Sequence, residues 1–134
     1  VAIKDSVPRD MYVRLTQLAG DRILVSTASE DEWFDNIVEL GWQLYLCSSP
    51  PYLLQSANDR RMREYTDLAL AGRIDEARTV RDSLEPVRQA LKATRPGGKP
   101  REPMLVLTDA EKAATRAAFE QCGLRLAPQL SRAV

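Results

Sequence analysis

The sequence predicts an α/β fold in which three short parallel strands alternate with helices and a wholly helical region follows. Three observations predict it. Aliphatic and aromatic clusters centred on Ile3, Leu24 and Tyr45 recur at 21-residue intervals with an amphipathic helical stretch between each pair, the pattern of βαβ units and hence of parallel strands. Cap and turn residues fall where such elements must start and stop. After Pro51 only helical periodicity remains.

The elements follow in order. Val1 to Lys4 reads as the end of a strand. Asp10 can N-cap a helix with Met11, Leu15 and Leu18 on its apolar face, closed by Gly20. Ile23-Leu24-Val25 is a short buried strand by composition. Ser29 with Glu32 three residues on is a capping-box signature for a helix through Trp33, Ile37 and Leu40, ended by Gly41. Trp42 to Cys47 is the third strand. Met62, Tyr65, Leu68 and Ala69 mark a helix that Gly72 ends. Ile74, Ala77, Val80, Leu84, Val87 and Leu91 mark a longer one, with Asp75 and Glu76 suited to its first turn and a kink expected at Pro86. The breaker run Arg95 to Pro100 separates it from a final Ala-rich helix, opened by Thr108-Asp109-Ala110-Glu111 and stopped near Gly123. The chain thus divides into residues 1–55, the βα units, and 56–134, the helical region.

Composition narrows the chemistry. The 134 residues suit one domain or a piece of one, and 44% hydrophobic residues can form a core. Nineteen basic residues balance nineteen acidic ones, whereas a protein that neutralises nucleic-acid phosphates carries a basic excess, so no nucleic-acid partner is expected. The absence of histidine removes imidazole general bases, Ser-His-Asp triads and histidine metal sites. Cys47 and Cys122 lack metal-ligand spacing and do not make a disulfide framework, so a reducing, cytoplasmic setting is expected. Apolar runs such as Leu68 to Ala71 fall far short of the roughly 18 residues of a membrane span. The opening Val1-Ala2-Ile3-Lys4 has neither an initiator Met nor a signal-peptide layout, and the chain is expected to be part of a longer protein.

In parallel α/β folds ligands lie beyond the carboxyl ends of the strands. Those ends read Lys4-Asp5-Ser6, Ser26-Thr27-Ala28-Ser29 and Cys47-Ser48-Ser49: one lysine and a set of small hydroxyls. An apolar surround can lower a lysine pKa from about 10.4 towards neutrality and free an amine to condense with a ketone, chemistry that needs neither metal nor histidine. A strand-end lysine that snorkels to water or pairs with Asp5 fits the same spacing. Cys47 fits a thiolate nucleophile or a small buried strand residue. The run Arg60-Arg61-Met62-Arg63-Glu64 reads as an anion patch or, with Asp59, Glu64 and Asp67 nearby, as a charge-balanced solvated helix face. Trp33, Phe34, Trp42 and Tyr45 read as packing residues.

The order strand-Lys4-Asp5-Ser6, strand, helix, strand, then Leu68-Ala69-Leu70-Ala71-Gly72-Arg73-Ile74-Asp75-Glu76-Ala77-Arg78, resembles the C-terminal half of the dihydrodipicolinate synthase and N-acetylneuraminate lyase family. Arg101-Glu102-Pro103-Met104 with Leu107-Thr108 resembles the segment before that family's last helix. The resemblance implies the last three strands of a (β/α)8 barrel plus a C-terminal helical extension. It implies an imine between Lys4 and pyruvate or a related 2-oxo acid, with Ser26, Thr27 and Leu46 lining the substrate pocket, Leu46 through its main chain and apolar wall. It implies no cofactor and a homo-oligomer. The upstream strands, the proton relay and the carboxylate-holding loop would belong to an upstream portion, so the 134 residues alone are expected to be inactive and prone to aggregate. Val7-Pro8-Arg9-Asp10 and Thr27-Ala28-Ser29 stand where the family carries Ser-Gly-Asp and Gly-Asp-Asp, which implies a shifted substrate preference. The family also implies more chain before Arg101 than Gly97 to Pro100 supply. The alternative to a lyase is a non-catalytic interaction module that keeps the barrel scaffold.

Overall fold

The computed structural model describes residues 1–27, 29–46, 57–93 and 107–123. It is mostly helical, with a two-stranded parallel sheet among the described residues. The chain forms two units, residues 1–82 and 83–134.

The first unit opens with β1 (Ala2–Lys4), α1 (Arg9–Ala19) and β2 (Leu24–Ser26). The strands pair in parallel with Ala2 opposite Leu24, Ile3 opposite Val25 and Lys4 opposite Ser26. Parallel strands need a crossover, and α1 supplies it, as the 21-residue spacing predicts. α1 begins after Pro8 rather than on a side-chain cap from Asp10; a proline before the first turn presets the backbone and has no N–H to satisfy.

Beyond β2 a single 3-10 turn, Glu30–Glu32, leads into α2 (Trp33–Leu40). The Ser29–Glu32 capping box does not form. No side-chain cap bond is made at Ser29, whose own N–H instead donates to Thr27 Oγ1 at 3.4 Å; the 3-10 turn starts the helix in another way. Gly41 ends α2 with φ 64°, a left-handed conformation in which glycine carries no Cβ penalty.

The predicted third strand is not formed among the described residues. Residues 42–46 run as irregular chain, and Cys47 lies outside the described residues. Side chains hold this segment instead. The buried Trp42 indole donates to Thr16 Oγ1 at 3.1 Å and packs on Tyr12 with ring centroids 5.2 Å apart. The Leu46 N–H donates to the Ser26 hydroxyl at 2.8 Å, where a ladder would use a main-chain carbonyl.

α3 (Arg61–Leu70) and α4 (Ile74–Asp82) complete the first unit, packed on each other and joined by a short turn at Gly72, φ 78°. Met62, Tyr65 and Ala69 of α3 and Ala77 of α4 are buried with Trp33, Phe34 and Ile37 of α2. These spacings are the ones their periodicity predicts. Phe34 meets Tyr65 edge-on at 6.4 Å.

The start of α3 rests on Asp59. Its carboxylate accepts from the Arg61 N–H at 3.1 Å and from the Arg61 guanidinium at 2.7 Å, and these bonds hold its pKa below the ordinary 3.8. A carboxyl depressed in the folded state stabilises above its unfolded pKa, and that stability is lost as pH falls through the folded value. Asp59→Asn is therefore expected to lower stability at pH 7 by about 1 kcal/mol, with the gap to wild type closing below about pH 4 in denaturant titrations across pH.

The long predicted helix is broken where the first unit ends. α4 stops at Asp82 and α5 (Glu85–Ala93) starts three residues later, with Pro86 in its first turn. The proline ring would clash with a carbonyl four residues back inside a continuous helix, and in a first turn it has no such neighbour. α6 (Asp109–Gln121) carries the predicted capping box: Thr108 Oγ1 accepts from the Glu111 N–H at 3.2 Å, and the Glu111 carboxylate accepts from the Thr108 N–H at 2.7 Å. α5 and α6 pack together. No described helix is long and apolar enough to cross a membrane.

Candidate functional site

The carboxyl end of the sheet brings together the residues selected from sequence. Lys4 closes β1 directly opposite Ser26, and in parallel strands paired residues project to the same face. The Asp5 N–H donates to the Ser26 carbonyl at 2.7 Å, extending the ladder one step past Lys4. Ser26 and Thr27 are buried, at 0% and 4% exposure, whereas Lys4 is exposed. Leu46, half-buried, touches the cluster through its main chain.

The hydroxyls here organise backbone. Ser26 Oγ accepts from Leu46 and donates to the Thr27 carbonyl at 3.4 Å. Thr27 Oγ1 accepts from Ser29. The turn after β2 and the chain at Leu46 are thereby held by hydroxyls at and just beyond the end of β2. Chemically the arrangement offers one primary amine beside buried, already engaged hydroxyls. Among the described residues no three Cys, Asp or Glu side chains group as metal ligands do.

A polar network ties α1 to α2. Arg9 donates to Tyr12 Oη at 2.8 Å, to Asn36 Oδ1 and to Glu39 Oε2 at 2.6 Å, and Tyr12 Oη donates to Asn36 Oδ1 at 3.3 Å. Burial pushes the Tyr12 phenol above its ordinary pKa, against the opposing pull of its bonds to Asn36 and Arg9, so the hydroxyl remains a donor. The network steadies the chain just after Lys4. Asn36 Nδ2, also buried, has no hydrogen-bond partner among the described residues.

A second tier of residues went unnoticed as site residues in the sequence. Glu30, 6% exposed, accepts from Tyr65 Oη at 2.6 Å. Trp33 Nε1 donates to Thr66 Oγ1 at 3.0 Å, and the Trp33 ring stacks on Tyr45 at 5.3 Å. The aromatics are packing residues as expected, but two of them also carry polar ends that find partners. The available signal was Glu30 itself, an acidic residue four positions past the buried strand end at Ser26. The arginine run on α3 is engaged with carboxylates, Arg61 with Asp59 and Arg63 with Asp67 at 2.7 Å, which fits the solvated, balanced face and not an anion patch. Cys47 and the Arg101–Met104 segment lie outside the described residues.

No protein-family model matches the chain, and a search of curated proteins returned no match.

Proposed function

We propose that this chain is the C-terminal part of a (β/α)8 barrel enzyme, a dihydrodipicolinate synthase-like lyase that binds pyruvate or a related 2-oxo acid as an imine on Lys4. The observation that carries the reading is the placement of a lysine at the carboxyl end of a parallel strand, in register with Ser26, whose hydroxyl holds the Leu46 main chain. The resemblance of the lysine motif and of Ala71 to Arg78 supports it. In the reaction the Lys4 amine adds to the ketone carbon and water leaves, forming the iminium. The iminium draws electrons from the adjacent carbon, so that a carbon–carbon bond forms or breaks, or a hydroxyl departs, through a stabilised carbanion equivalent. Ser26, Thr27 and Leu46 form part of the pocket wall. The proposal places the enzyme in the cytoplasm as a homo-oligomer, with no cofactor, nucleic acid or membrane partner.

Borohydride treatment of the full polypeptide in the presence of pyruvate, followed by peptide mass spectrometry, tests the reading. A reduced pyruvate adduct on Lys4 is the expected result. No adduct, under conditions that label a known lysine-imine aldolase, rejects the lyase in favour of a non-catalytic module on the same scaffold.

A further inference from the structure

Four contacts link α3 to the rim of the candidate site by two routes. Tyr65 Oη, fully buried, donates to the buried Glu30 carboxylate at 2.6 Å. The next residue, Thr66, accepts from Trp33 Nε1 at 3.0 Å. Trp33 stacks on Tyr45 at 5.3 Å, and the next residue, Leu46, donates its N–H to Ser26 Oγ at 2.8 Å. Glu30 lies three residues beyond Thr27 in sequence, so α3 grips the loop after β2 from one side and the 42–46 segment through Trp33 from the other. A hydrogen bond between two buried groups has no water to replace it if broken, so its loss costs more than that of an exposed one.

We propose that Tyr65, acting through Glu30, is a positioning residue that sets the placement of Ser26, Thr27 and Leu46 at the carboxyl end of the sheet. The functional consequence rests on the proposed imine chemistry; the positioning itself does not. Removing the hydroxyl leaves the ring free to pack on Phe34 but takes away one of the bonds that hold the Glu30 turn, and so loosens the rim that meets the substrate.

Tyr65→Phe in the full chain is compared with Ala69→Gly, which weakens the same helix at a buried position while keeping the hydroxyl. The first readout is amide hydrogen exchange at Leu46 by NMR. Exchange is expected to rise roughly five- to tenfold in Tyr65→Phe, the scale of one lost hydrogen bond, and to stay near wild type in Ala69→Gly. Equal acceleration in both variants, or none in Tyr65→Phe, overturns the proposal, since the hydroxyl would then contribute only general stability. The second readout is the pyruvate concentration giving half-maximal borohydride trapping, expected to rise in Tyr65→Phe alone. If wild type traps no pyruvate, the lyase reading fails, and the Leu46 exchange still decides the positioning role.

Discussion

Phe34→Ala is expected to unfold the first unit at ordinary temperature or to lower its melting temperature by at least about 12 °C. Phe34 is 1% exposed at the centre of the aromatic core, edge-on to Tyr65 at 6.4 Å. The Arg78 and Arg81 guanidiniums lie 5.2 and 6.0 Å from its ring centroid. Emptying such a site costs about 3–5 kcal/mol in transfer free energy and cavity, and the two cation–π contacts go with the ring. A unit of this size has a total stability on the order of 4–12 kcal/mol, so the loss is a large part of the whole. Thermal unfolding followed by circular dichroism measures it. Phe34→Leu, which keeps most of the volume, is expected to cost less than about 1.5 kcal/mol. A fall below 5 °C for Phe34→Ala would mean that the ring does not occupy the core position described.

Lys4→Arg is expected to abolish borohydride trapping and to lower 2-oxo acid turnover by a factor on the order of 10³ or more. The substitution keeps a cation at the end of β1, so any role that needs only positive charge survives it. Guanidinium stays protonated in proteins and offers no free amine to attack a ketone. Folding should change little, because Lys4 is exposed and no salt bridge is formed at its amine among the described residues. Turnover retained within tenfold of wild type would assign Lys4 an electrostatic role and remove the imine. A thermal melt alongside the kinetic assay separates loss of chemistry from loss of fold.

What was legible in the sequence was local. Thr108 and Glu111 form their capping box because both partners lie within one turn. Gly41 and Gly72 stop their helices because only the left-handed backbone continues the chain there. β1 and β2 pair at the spacing their composition predicts. The failures involve competition between local and distant partners. Ser29 and Glu32 have the residues of a capping box, yet Thr27 bonds the Ser29 N–H and a 3-10 turn starts the helix. Residues 42–46 have strand composition, yet Trp42 and Leu46 are held by Thr16, Tyr12 and Ser26. Pro86 separates two helices instead of kinking one. At the candidate site, periodicity pointed to strand ends and so to Lys4, Ser26 and Thr27. The Glu30–Tyr65 bond joins residues 35 apart, a separation at which no sequence period carries information.

β1 has a consequence for how the candidate amine is held. All three of its residues are exposed, and among the described residues main-chain bonds attach it along one edge, to β2. Detaching it sacrifices little apolar burial, so its opening free energy lies at the low end of the unit's range, well below that of the aromatic core. The location of the amine therefore follows a local equilibrium between docked and released strand and is insulated from global unfolding. Any chain segment that bonds the outer edge of β1 adds its binding free energy to the docked side by mass action. Occupancy of that edge thus tunes the time-averaged position of Lys4 without any contact to its side chain.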